Sequence, residues 1–222
     1  MRNASTTLLG IIFLLGIASC GSDDGNQSTV TAAVLILANN SSANNSSSSA
    51  TCANSDYCRI FVTDSGTQGS RSGISGMDSF CSSDANKPSG DATWKALVVD
   101  GTNRIACTTA NCSGGTSEHT DWVLKSSKEY RRTDGTTVIG TTTANGIFSF
   151  PLTNQVKLNE GITINWTGLL TNWSTGSDCA NWTDATASEF GNEGKYGEVD
   201  SKLISDGSKE CNNLRRIICV EQ

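Results

Sequence analysis

Asn165-Trp166-Thr167-Gly168-Leu169, then Trp173, Cys179-Ala180-Asn181-Trp182, Cys211 and the closing run Ile217-Ile218-Cys219-Val220-Glu221 form the stretch that decides how this chain folds. Residues 162–170 and 214–220 read as late strands, the second an unbroken apolar run after Arg216. Toward the N-terminus, residues 130–150 carry a turn signal, Asp134-Gly135, between two strand candidates. Residues 94–99 and 121–124 each read as a strand or a buried run. Ile74, Met77, Cys81 and Ala85 fall at helical spacing before a Lys87-Pro88 stop, which predicts one helix with Cys81 on its buried face. Arg59-Ile60-Phe61-Val62-Thr63 reads as the first strand. Short apolar runs separated by Gly, Ser, Thr, Asn and Asp predict an α+β domain with long loops over residues 52–222.

Upstream of Cys52 the composition changes. Residues 1–19 read as a lipoprotein signal peptide, with Arg2 as the charge, residues 8–17 as the apolar core and Ile17-Ala18-Ser19-Cys20 as the cleavage box. An ordinary secreted protein cut nearby, or an uncleaved anchor, is the alternative; the core is far short of the ~20 residues of a spanning helix. Cys20 is then the lipidated residue, carrying palmitate-type chains that tether the protein to a membrane. Residues 20–51 are rich in Ser and Asn and read as a disordered tether, because such a segment buries too little apolar surface to offset its ordering entropy. As a flexible coil it would reach on the order of 30 Å. Val34-Leu35-Ile36-Leu37 interrupts it as a sticky turn or envelope contact.

The 222 residues carry a formal net charge of −6, to which the leader contributes only Arg2. That sign argues against nucleic acid or anionic lipid as a general partner, since such affinity comes from clustered Lys and Arg. Nine cysteines less Cys20 leave an even set of eight. In an exported chain these favour disulfides, although spacing alone admits about a hundred connectivities. No cofactor is implied: His119 is the single histidine, and paired C-x-x-C motifs are missing.

The decisive stretch, together with Phe61-Val62-Thr63, Trp94-Lys95-Ala96-Leu97, Asp121-Trp122-Val123-Leu124, Tyr130-Arg131-Arg132 and Ile147-Phe148-Ser149-Phe150-Pro151-Leu152, resembles the C-type-lectin-like fold. It is more closely similar to the endostatin-type branch at the ends of collagens XV and XVIII. The closest resemblance is to a leptospiral lipoprotein family with an endostatin-related domain of unknown function, over residues 59–222. By that analogy Cys81 pairs with Cys219 and Cys179 with Cys211, leaving Cys52 with Cys58 and Cys107 with Cys112 as local bridges.

Candidate chemistry is sparse. Calcium-binding lectins use a Glu-Pro-Asn or Gln-Pro-Asp loop followed by Trp-Asn-Asp, and neither stands here. Asp178, Asp184, Glu189, Glu193, Glu198, Asp200 and Asp206 offer hard oxygens, but they read as a solvated acidic loop and no metal is assigned. Trp166, Trp173 and Trp182 sit in Asn-Trp-Ser/Thr units; an aromatic sugar platform is weighed against core packing, and core is preferred. Glu118-His119-Thr120-Asp121 holds the only imidazole without a nucleophile elbow, so no catalytic residue is assigned. Arg131-Arg132 and Arg215-Arg216 could grip an anionic polysaccharide, as basic surfaces of endostatin do; strand alternation instead predicts one arginine of each pair pointing outward.

The expectation is therefore a non-catalytic, membrane-anchored envelope lipoprotein at the outer membrane or cell surface. Its expected ligand is a host matrix protein, plasma protein or glycan, with binding residues unassigned. The alternative is an inward-facing structural or assembly component of the bacterial envelope.

Overall fold

The computed structural model describes residues 52–158 and 163–222. The leader at 1–19, Cys20 and the tether at 20–51 lie outside the described residues. The elements run β1 (Tyr57–Val62), α1 (Gly73–Ser83), β2 (Trp94–Ala96), β3 (Glu129–Arg132), β4 (Val138–Thr141), β5 (Ile164–Trp166), α2 (Cys179–Trp182), β6 (Phe190–Lys195), β7 (Gly207–Glu210) and β8 (Ile218–Glu221). This is a mixed α+β arrangement, mostly sheet. Among the described residues a five-stranded sheet has the order β2-β8-β1-β3-β4 and a three-stranded sheet the order β5-β6-β7.

The apolar run near the C-terminus has a physical reason in this topology. Strand β8 lies between β1 and β2, antiparallel to both, and all four of its residues are buried. Ile218 and Val220 enter one core with Ile60, Val62, Leu97 and Tyr130. Ile217 and Cys219 enter the other with Ile74, Met77, Trp94 and Trp166. A strand covered on both faces shows no polar alternation. Each such aliphatic side chain contributes roughly 1.5–3 kcal/mol of burial.

Helix α1 buries Ile74, Met77 and Cys81 as its spacing predicts. It stops at Ser83, earlier than Pro88 requires, and leaves Ala85 exposed. The Asp84 carboxylate ends it by accepting the backbone N–H groups of Asn86 at 2.9 Å and Asp64 at 2.9 Å. Of residues 121–124, Trp122, Val123 and Leu124 form a buried run and no strand while Asp121 is exposed, and the predicted strand over 162–170 is regular only at Ile164–Trp166. Gly168 turns there with φ +68°, and a Cβ would lie 2.4 Å from the Val99 carbonyl oxygen.

Four disulfides join the described residues: Cys52–Cys58, Cys81–Cys219, Cys107–Cys112 and Cys179–Cys211. They are the pairs the resemblance implies. Cys81–Cys219 ties α1 to the central strand. Cys179 opens α2, a turn whose four residues have φ between 54° and 58°, a left-handed conformation that costs roughly 1–2 kcal/mol per residue. Its disulfide to Cys211, the buried Trp182 and a bond from the Asn181 N–H to the Asp178 carboxylate at 3.0 Å hold it in place.

One buried charge organises the junction between α1, β2 and the following loops. Arg104 is fully buried and donates to Asp78 Oδ1 at 2.9 Å, Asp78 Oδ2 at 2.8 Å, Asp121 Oδ2 at 2.6 Å, and the carbonyls of Ala96 at 2.8 Å and Asp121 at 3.0 Å. All five guanidinium N–H groups thus have acceptors, the condition under which a buried charge is tolerated.

Candidate functional site

Three loops converge on a cleft of about 420 Å³. The first, residues 107–112, is closed by Cys107–Cys112. Its carboxylate brace is Glu118, which accepts the N–H of Thr108 and Thr109 at 2.7 Å each and the hydroxyls of Thr108 at 3.0 Å and Thr109 at 2.6 Å. These bonds, the Thr109 hydroxyl foremost, hold the Glu118 carboxyl down to about 2. The second loop is a tight turn, in which the Gly146 N–H reaches the Thr143 carbonyl at 3.0 Å and Gly146 takes φ +66°. The third turns at residues 170–174, where the Trp173 N–H bonds the Leu170 carbonyl at 3.0 Å. The Asn111 N–H joins first to third through the Asn172 carbonyl at 2.8 Å.

Aromatic rings form the base. Phe150 lies parallel to Trp173 with centroids 5.8 Å apart, and Trp173 meets Trp122 edge-on at 6.1 Å. Trp122 donates its indole N–H to the Gly146 carbonyl at 2.8 Å, fixing the turn against this stack. Around the rim stand Asn111, Thr143, Asn145, Ser149 and Thr171. Among the described residues the Asn111 carboxamide, the Asn145 Oδ1 and the hydroxyls of Ser149 and Thr171 have no hydrogen-bond partner in the chain, and no charged side chain lines the cleft. Asn111 and Trp173 both sit at positive φ, 56° and 68°. Such conformations cost of order 1–3 kcal/mol each and cluster at functional sites. The cleft therefore presents uncharged groups that both donate and accept, beside an apolar ring.

Apart from Trp173, the residues singled out in the sequence distribute around this site rather than in it. His119 sits behind the second loop: Nδ1 faces the Ala106 carbonyl and Nε2 the Asn145 carbonyl at 3.0 Å. Asp121 turns away from it to Arg104 and Lys95, so the Glu118-His119-Thr120-Asp121 segment assembles no catalytic pair. Trp166, Trp173 and Trp182 are all buried. Of these, Trp173 also backs the cleft.

The acidic residues scatter. Glu193 pairs with Arg215 and Asp206 with Lys195 at 2.5 Å, while Asp178, Asp184 and Asp200 accept nearby backbone N–H groups. The arginine pairs depart from the outward-pointing expectation. Arg131 pairs with Glu129 at 2.6 Å and lies over Tyr57; Arg132 donates to the Gln155 carbonyl; Arg215 pairs with Glu193; Arg216 reaches the Thr63 carbonyl. All four are partly buried, because neighbouring strands and loops offer acceptors to both faces.

Asn111, Asn145 and Phe150 went unmarked as site residues in the sequence. Asn145-Gly146 is a turn dipeptide inside residues 130–150 that could have located the second loop. Nothing local marks Asn111, whose position depends on a disulfide and a contact to Asn172.

A family model described as a protein of unknown function, DUF1554, matches residues 64–199. That span contains the whole cleft. No curated protein matches the chain.

Proposed function

Because the chain belongs to the DUF1554 family, whose description assigns no function, we propose its role from the site itself: a non-catalytic, lipid-anchored envelope protein that binds a macromolecular ligand at the cell surface. The observation that carries this reading is the cleft, with unpartnered amides and hydroxyls held on three braced loops. Polar groups facing solvent are hydrogen-bonded to water, so they favour a ligand that brings its own donors and acceptors to replace that water. The single imidazole is committed to two main-chain oxygens, which favours binding over acid-base chemistry.

Our finer fold reading is the C-type-lectin-like, endostatin-like type. It is supported by the first strand lying beside the last, β1 against β8, and by two disulfides that span 138 and 32 residues. The membrane anchor rests on the sequence of residues 1–20.

Protease treatment of intact cells tests the placement. The surface reading expects the domain to be cleaved while a periplasmic marker survives. Cleavage only after envelope disruption would defeat it and favour the inward-facing assembly role, which crosslinking to envelope partners would then identify.

A further inference from the structure

We propose that the cleft between the 107–112, 143–150 and 170–174 loops is a calcium-independent subsite for a neutral sugar residue. The proposal rests on the binding reading above and names the ligand class for its site.

The chemistry of the lining selects this class by elimination. Among the described residues no ionised side chain lines the cleft, so a sulfated, phosphorylated or carboxylated group would lose hydration there without a counter-charge. A wholly apolar ligand would cover the Asn111 carboxamide and the Thr171 and Ser149 hydroxyls and leave them unpaired, at the cost of their hydration. A pyranose avoids both penalties. Its hydroxyls donate and accept, as amides and alcohols do, and its C–H face is apolar enough to lie against an aromatic ring.

The dimensions and supports agree. About 420 Å³ falls within the range of small-ligand sites, roughly 300–1,000 Å³. Phe150 is partly exposed and backed by Trp173, itself held by Trp122, so the ring wall is fixed before a ligand arrives. Asn145 is held from behind: its carbonyl faces His119 Nε2 at 3.0 Å and its Nδ2 donates to the Cys112 carbonyl at 3.0 Å, which leaves Oδ1 for a ligand. Asn111 is locked in its left-handed conformation one residue before a disulfide cysteine. Preorganisation of this kind lowers the entropic cost of binding.

The test applies the mature full-length chain to immobilised neutral oligosaccharides of hexose and N-acetylhexosamine, beside sialylated and sulfated ones, with chelator present. Retention on neutral glycans, unchanged by chelator and raised salt, is the expected result. Asn111→Gly keeps the left-handed backbone while deleting the carboxamide, and Thr171→Val deletes an exposed hydroxyl. Each should weaken retention about five- to tenfold with an unchanged melting temperature. Phe150→Ala should weaken it at least about tenfold.

Immobilised glycoprotein before and after deglycosylation, beside a neutral polysaccharide, separates the two sources of the same chemistry. No retention of any neutral sugar, retention of acidic glycans alone, or equal retention by all three variants would each overturn the subsite. If the variants then still bind immobilised matrix or plasma proteins like the parent, the subsite fails and the binding reading stands. If the parent binds none of them, that reading fails as well.

Discussion

Replacing Arg104 with methionine should remove more stability than any single change on the surface. The side chain is fully buried, whereas the carboxylate-bearing side chains it serves, Asp78 and Asp121, keep 21% and 40% exposure. Breaking a buried ion pair from one side costs roughly 3–5 kcal/mol, because the remaining charge stays without its partner. Water can reach both carboxylates, and Lys95 still pairs with Asp121, so the lower end applies, about 3 kcal/mol. For a domain of this size that corresponds to a fall in Tm of about 6–12 °C.

The pH dependence has a definite sign. Burial by itself would raise the Asp121 carboxyl, but Lys95 and Arg104 outweigh it and hold the group below the usual range. A carboxyl depressed in the folded state stabilises above its unfolded value, near ~3.9, and loses that contribution as pH falls through the folded value. The deficit of Arg104→Met should therefore be full at neutral pH and shrink below about pH 4. Urea denaturation across that range measures it, with Asp78→Asn and Asp121→Asn added to the methionine variant to recover part of the loss. A deficit under about 1 kcal/mol at neutral pH, or one that grows on acidification, would refute the reasoning.

The remaining perturbations probe the scaffold around the cleft. Removing Cys81–Cys219, which spans 138 residues, should cost up to about 5 kcal/mol on the chain-entropy model, against about 2 kcal/mol for Cys107–Cys112, which spans 5; equal midpoints in denaturant would contradict that order. Glu118, held at about 2, contributes stability present above roughly pH 4.5 and lost as the pH approaches 2, so Glu118→Gln should flatten the acid limb of the unfolding curve between those values. Gly194→Ala would set a Cβ 2.0 Å from the Leu203 carbonyl oxygen and should destabilise by about 1–3 kcal/mol or more; an unchanged Tm would mean that β6 can move away from that loop.

The parts of the fold written in apolar periodicity were legible. Ile74, Met77 and Cys81 gave the helix face, and residues 214–220 gave a late strand, regular only from Ile218 to Glu221, whose centrality only the sheet order explains. Asp134-Gly135 did mark a turn, with Gly135 at φ +70° between β3 and β4. Strands β6 and β7 were invisible because Phe190–Lys195 and Gly207–Glu210 carry little apolar surface. Gly191 packs against Cys179 Sγ and Trp166, and Gly194 against the Leu203 carbonyl, so close backbone approach replaces side-chain burial. Arg104 was equally silent, since its role depends on Asp78 and Asp121, 26 and 17 residues away. The cleft was legible only in fragments: Trp173 was weighed as platform or core, and serves as core directly behind a partly exposed ring. Its rim comes from three separated loops, and no spacing rule joins Asn111 to Asn145 and Thr171.

Backbone and side-chain amide NMR spectra of the labelled mature protein, recorded while a methyl pyranoside of a neutral hexose or N-acetylhexosamine is added, test the binding site most directly. Saturable shifts confined to Asn111, Asn145, Ser149, Phe150 and Thr171 are expected, the Asn111 side-chain amide among the largest. Shifts centred on Arg131 and Arg132 or on the acidic loop, or no saturable shift anywhere, would contradict that site.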